Sequence, residues 1–192
     1  MPMTPTSNLP SCLGSPQVSL LGELLEPMVE RFLEQLAEAE RGEGDVAVEV
    51  TTPGGDAELA RRMVLEVEVA RSRLGRRRLL LLGKTQLYSA GVTLMSAFPA
   101  RDRYLTRDTV LLVHGRQLDE TVEIRGPMRA NLPRVKALLA QFEIGIRHEE
   151  ENFRRLVEGS DVSFEEICRR ALHNWYIPAR EALDRKLVAG LV

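Results

Sequence analysis

The sequence predicts an α/β fold built on a largely parallel sheet, and three observations carry that reading. Short apolar or β-branched runs recur at residues 18–22, 46–50, 79–82 and 110–113. Between them lie segments whose apolar residues repeat at helical spacing. Gly and Pro punctuate the junctions, as a strand needs an end before its return helix can begin.

The run at 18–22 is followed by Pro27 at a helix start, where a fixed φ and a missing N–H do no harm. Val29, Phe32, Leu33 and Leu36 share one face of that helix, and Gly42 and Gly44 end it. The second strand, 46–50, runs into the turn Thr51-Thr52-Pro53-Gly54-Gly55 and a helix opening near Asp56. Leu59, Met63, Val67, Ala70 and Leu74 form its apolar stripe, and Gly75 stops it. The unit then repeats: a buried strand at 79–82, a loop, and a helix opening near Ser89 with the small residues Ala90, Gly91 and Ala97. The strand at 110–113 ends on His114. A long helix is expected from Pro127 to about Leu156, with Leu132, Val135, Leu138, Leu139, Phe142 and Ile146 apolar. Such a helix outruns a compact domain of this size, so part of it is expected to pack on another subunit. Ser163 with Glu166 three residues on predicts a capping box, and a short helix from Pro178 precedes an apolar end.

Bulk properties narrow the function. With 192 residues, 44% hydrophobic and 28% charged, one domain suffices to bury a full core. A net charge of −2 gives no general attraction to nucleic acid or an anionic membrane, and neither partner is expected. The basic group Arg71, Arg73, Arg76, Arg77 and Arg78 straddles a helix C-terminus, where cations complement the dipole. No apolar run approaches the roughly 18 residues of a membrane helix. Residues 1–16, with four prolines and no basic start ahead of an apolar stretch, are expected to be a flexible arm before a single domain at 17–192. Cys12 and Cys168 have no metal-type or C-x-x-C spacing, which fits a reduced, cytoplasmic setting without metal.

Three local signals bear on chemistry. Pro53-Gly54-Gly55 between a strand and a helix lets backbone N–H groups aim at an anion, although alone it reads as a tight turn. Tyr88-Ser89-Ala90-Gly91 puts a hydroxyl at a helix start among small neighbours. By itself that is a capping serine, and Leu87 stands where an α/β-hydrolase elbow needs Gly. Gly83-Lys84-Thr85 is no phosphate loop, because Arg78 holds the place of its first Gly. His114 ends a strand, a place usually filled by a loop or core histidine.

Taken together in chain order, the 18–23 strand, Thr52-Pro53-Gly54-Gly55, Tyr88-Ser89-Ala90-Gly91 and Leu112-Val113-His114 resemble the ClpP family of Clp protease proteolytic subunits, over residues 18–192. The resemblance implies the ClpP/crotonase-like spiral of strand–helix units, with a protruding helical handle at about 116–160. It implies a serine peptidase with Ser89 as nucleophile, His114 as base, Asn174 as third triad member, and Gly55 and Ala90 as oxyanion donors. No metal or cofactor is implied. Polypeptide substrates, self-association into rings and an AAA+ unfoldase partner are. The segment Asn174-Trp175-Tyr176-Ile177-Pro178-Ala179-Arg180-Glu181-Ala182 resembles the family stretch that begins with the catalytic Asp, and here holds Asn. The Gly-rich segment after the histidine is replaced by residues 116–123, the stretch between His114 and Asn174 is longer than the family norm, and residues 1–17 match no axial loop. Asn174 and the altered handle motivate one alternative, a catalytically weak ring subunit acting as scaffold; another within the same fold is a crotonase-type acyl-CoA enzyme using backbone oxyanion donors without a Ser–His pair, against which Ser89 and His114 count.

Overall fold

The computed structural model describes residues 9–118 and 121–192, so residues 1–8 of the expected N-terminal arm and Asp119 and Glu120 of the expected handle lie outside the described residues. Seven strands form one sheet: β1 (Val18–Leu21), β2 (Val46–Thr52), β3 (Leu79–Tyr88), β4 (Arg103–Leu105), β5 (Val110–Val113), β6 (Trp175–Pro178) and β7 (Gly190–Leu191). The helices are α1 (Glu26–Arg41), α2 (Ala57–Leu74), α3 (Ala90–Ser96), α4 (Met128–Val157), α5 (Phe164–Ala171) and α6 (Ala179–Asp184). Neighbours run β1-β2-β3-β4-β7 and pair in parallel, with β5 parallel to β3 and β6 antiparallel to β5.

β3 is longer than the strand expected at 79–82 and replaces the loop expected after it. The β2–β3 register runs to Val50↔Gly83 and resumes at Thr52↔Leu87, so Lys84, Thr85 and Gln86 oppose Thr51 alone. Thr85 sits at φ 58, a left-handed conformation that a β-branched residue adopts only in a bulge held from both sides. The bulge re-aims the strand. Its first half, Leu81–Gly83, pairs with β4, and its second, Gln86–Tyr88, pairs with β5. That second half delivers Ser89, and β5 delivers His114, to the same end of the sheet.

The main core lies between one sheet face and the helices. Phe32 and Leu36 of α1, and Met63 and Val67 of α2, are fully buried against Val48, Leu79 and Leu81. Each such side chain contributes roughly 1.5–3 kcal/mol by leaving water. A smaller core covers the other face: Ala47, Leu80, Leu82 and Tyr104 with Leu13, and Leu9 and Cys12 beside them. Residues 9–16, expected to be part of a flexible arm, are therefore packed, with one turn of 3-10 helix at Ser11–Gly14. A sheet buried on both faces has leucines at consecutive positions, as in 79–82.

The arginines after α2 tie elements together. Arg77 donates to the carbonyls of Ala39 and Glu40 at 3.0 and 2.9 Å, where α1 ends, Arg73 forks onto Glu40, and Arg78 pairs with Asp102. Arg103 is the largest fully buried side chain, and among the described residues it forms no ion pair. Its guanidinium donates to the carbonyls of Phe98 (2.6 Å), Leu156 (2.7 Å), Arg155 (3.0 Å) and Leu187 (3.2 Å). Burial pushes its pKa down to about 10.

α4 follows the expected bounds within a residue at each end. At 30 residues it is about 45 Å long, yet Phe153 and Leu156 in its last turns are its only buried residues. Met128, Leu132, Val135, Leu139, Phe142 and Ile146, spaced by alternating fours and threes, stay exposed as a coiled-coil-type seam. At the head of α5, Ser163 Oγ accepts the Glu166 N–H at 3.1 Å, half of the expected capping box. The Glu166 carboxylate turns instead to Arg185 at 2.7 and 2.5 Å, which holds it below the usual carboxylate range.

Candidate active site

The turn after β2 is shaped by close packing. Gly54 and Gly55 sit at φ 108 and 146, which L side chains rarely adopt. A Cβ on Gly54 would stand 2.9 Å from Ser89 Cβ, and one on Gly55 would stand 2.4 Å from the Leu24 carbonyl oxygen. The Gly54 carbonyl accepts the Leu24 N–H at 2.8 Å and the Leu24 carbonyl accepts the Asp56 N–H at 2.9 Å, clamping the turn. The Gly55 N–H itself has no backbone partner among the described residues.

Ser89 joins β3 to α3 at φ 53 and ψ −114, a strained conformation for a residue other than Gly. The strain is held by its own N–H, which donates to the Leu112 carbonyl of β5 at 2.9 Å. Its carbonyl starts α3 by accepting from Val92 and Thr93. Its hydroxyl caps nothing, so the capping role that a serine ahead of a helix usually has is absent here. Gly91 lets α3 lie against β2, since a Cβ there would be 2.4 Å from Thr52 Cγ2. The Ala90 N–H, at the positive end of the helix, also has no backbone partner among the described residues.

His114 follows β5, and its Nδ1 lies 2.7 Å from the Gly115 carbonyl oxygen. A carbonyl only accepts, so Nδ1 carries the proton and Nε2 is free to receive one. Gly115 is in turn fixed by its N–H, which donates to the Ala171 carbonyl at 3.1 Å. A cavity of about 240 Å³ gathers Gly55, Ser89, Ala90 and His114. Glu149, Asn152, Phe153 and Leu156 line it from α4, one helical face read from its outer end to its base. The walls grade from charged to apolar in that order. Ser89 and His114 line this space without a direct hydrogen bond between them.

Asn174 is the expected site residue that the structure does not bring in. Extending the β5–β6 register of Val113↔Trp175 by one sets Asn174 opposite His114. Its backbone, however, turns at φ 56, and its side chain is exposed in a shallow depression with Arg169, Arg170, His173, Trp175 and Tyr176. The partner of His114 Nδ1 is Gly115, not Asn174. Glu149 was not legible as part of the site: on α4 it belongs to a run of three glutamates that reads as a solvated face.

The segment after His114 is latched. Arg116 donates its backbone N–H to the Glu149 carboxylate and pairs its guanidinium with Glu58 of α2. Burial opposes ionisation of Glu58, but hydrogen bonds from Arg116 and Arg61 outweigh it and hold the carboxyl below its usual value.

No known family's sequence model matches the chain, and no curated protein matches it in sequence. Among solved structures it is similar to an Asn-to-Asp mutant of ClpP1 from Listeria monocytogenes, with a TM-score of 0.72 over 91% of this chain and 90% of that one at 18% identity. The fold is therefore ClpP-like, in agreement with the spiral of strand–helix units that the sequence predicts. Among the described residues no helix is long and apolar enough to cross a membrane.

Proposed function

We propose that the chain is a serine peptidase of the ClpP type, hydrolysing peptide bonds in unfolded polypeptides with Ser89 as nucleophile. The observation that supports this best is a strained, uncapped serine hydroxyl sharing one cavity with a histidine whose Nε2 is free. Ser89 Oγ attacks the carbonyl carbon as His114 Nε2 takes its proton. The Gly55 and Ala90 N–H groups hold the oxyanion, which in other peptidases is worth about 2.7–4 kcal/mol per donor. His114 then gives the proton to the leaving amine, and water repeats the sequence on the acyl-enzyme. Asn174 would enter only by turning its side chain toward His114. All these groups belong to the chain itself. The exposed seam of α4 supports self-association into rings stacked through their handles, in a cytoplasmic machine fed by an AAA+ unfoldase.

A fluorophosphonate probe tests the reading: it should label wild-type protein at Ser89 and leave Ser89→Ala unlabelled. Absence of labelling on assembled, folded protein would rule it out. A second reading, a ring subunit of weak activity that scaffolds an active partner, is favoured by the outward-facing Asn174. It predicts labelling of Ser89 together with negligible turnover of fluorogenic peptides by the isolated protein.

A further inference from the structure

The peptide group between Gly115 and Arg116 has a partner at each end. Its C=O accepts from His114 Nδ1 at 2.7 Å, and its N–H donates to the Glu149 carboxylate. The two bonds therefore run in series through one conjugated amide. We propose that Glu149 is the carboxylate that steadies His114, acting through this peptide group in place of a third triad residue in direct contact. The inference rests on the peptidase reading above.

The physical argument is polarisation. A carboxylate accepting from an amide N–H pushes electron density onto the same amide's oxygen, which then accepts more strongly from the imidazole N–H. When His114 takes the Ser89 proton, the positive ring finds a more negative carbonyl at Nδ1 and a carboxylate beyond it. Glu149 is free for this role, because among the described residues it forms no ion pair: the Arg116 guanidinium closes on Glu58, with Arg61 on the same carboxylate. Asn174, neutral and turned outward, contributes no charge. The other charged or titratable groups on elements packed around His114 include Arg116, Glu58 and Arg61, His148 and Glu150 with Arg154 on α4, Cys168, Arg169 and Arg170 on α5, His173 before β6, and Tyr88 and Tyr176 on the strands beside β5. No step beyond proton transfer between Ser89 and His114 is involved, so Glu149 is a positioning residue and keeps its charge throughout.

Glu149→Gln separates charge from shape, because the amide oxygen still accepts the Arg116 N–H. On the full-length protein, kcat should fall at least about tenfold with KM changed less than about twofold. The acidic limb of the kcat/KM profile should move to lower pH, since the imidazolium loses its stabilising charge. Glu149→Asp should recover part of the loss. An NMR titration of the His114 ring makes the test independent of turnover: its pKa should drop by about half a unit or more in Glu149→Gln and hold in Asn174→Ala. An unmoved ring pKa and acidic limb in Glu149→Gln overturn the proposal. So does Asn174→Ala producing the shift instead. If Ser89 resists fluorophosphonate while the ring pKa still responds to Glu149, the peptidase reading fails and the coupling stands.

Discussion

α2 and α4 carry the same kind of apolar stripe and meet opposite fates. In α2, Ala60, Met63, Val67, Ala70 and Leu74 are all buried beneath the sheet and α1. In α4, Leu132, Val135, Leu139, Phe142 and Ile146 repeat as regularly and remain exposed, Phe142 at 48% against 0% for Phe32 of α1. The periodicity says which face needs cover, and the sheet's reach decides whether the chain itself supplies it. Only the base of α4 is within that reach, and there it lines the Ser89 cavity. The protein thus divides into a body that buries its own stripes and a lever whose seam the chain leaves exposed.

The largest expected effect confines chemistry to the body. Ser89→Ala should cost on the order of 10⁴-fold or more in kcat while leaving the assembled mass unchanged; peptide hydrolysis and light scattering read the two, and a mass change would mean that site and assembly are coupled. Next, Phe32→Ala should lose about 3–5 kcal/mol in chemical denaturation, whereas Phe142→Ala should lose under about 1 kcal/mol in the same protomer. Equal losses would erase the distinction between body and lever. Leu139→Glu with Phe142→Glu should weaken assembly by about 100-fold in ultracentrifugation, since two charges enter a seam that must be dry. Association at wild-type strength would place the interface elsewhere. The smallest effect is electrostatic and inside the body. Glu166→Gln should cost about 1 kcal/mol near neutral pH, or a few degrees in Tm. Because Arg185 depresses the Glu166 pKa in the folded protein, this stability is present above the unfolded carboxyl value and is lost as pH falls through the folded one. The difference between variant and wild type should therefore vanish in acid, and a gap surviving there would point to packing instead.

Much of the body was legible. Leucine-rich strands, helical stripes and the Gly and Pro junctions located β1, β2, β5 and α1 to α4, because buried strands and one-sided helices leave strong local patterns. The junctions put Gly55, Ser89 and His114 at strand ends, the family resemblance grouped them with Ala90, and the fold gathers all four in one cavity. The second half of β3 was not legible: Gly83-Lys84-Thr85-Gln86 has no alternation, as the bulge there serves two partners. Residues 9–16 look like an arm because their few apolar side chains matter only against a second sheet face. Asn174 stands opposite His114 in register, but a left-handed turn at the head of β6 leaves its side chain exposed, and nothing in the local sequence signals that direction. Glu149 could not be found by spacing, because its link to His114 passes through a backbone amide 33 residues away in sequence.

The four carbonyls around Arg103 set an order in time. Three of them, on Arg155, Leu156 and Leu187, are separated from it by 52, 53 and 84 residues. During synthesis the early strands can pair and α1 and α2 can dock while this guanidinium still faces water, because its partners have not yet been made. Only when residues 187–191 have left the ribosome can β7 settle beside β4 and the charge be enclosed. The wall of the Ser89 cavity that contains Leu156 is fixed by the same closure, so a partly made chain carries Ser89 without its finished pocket.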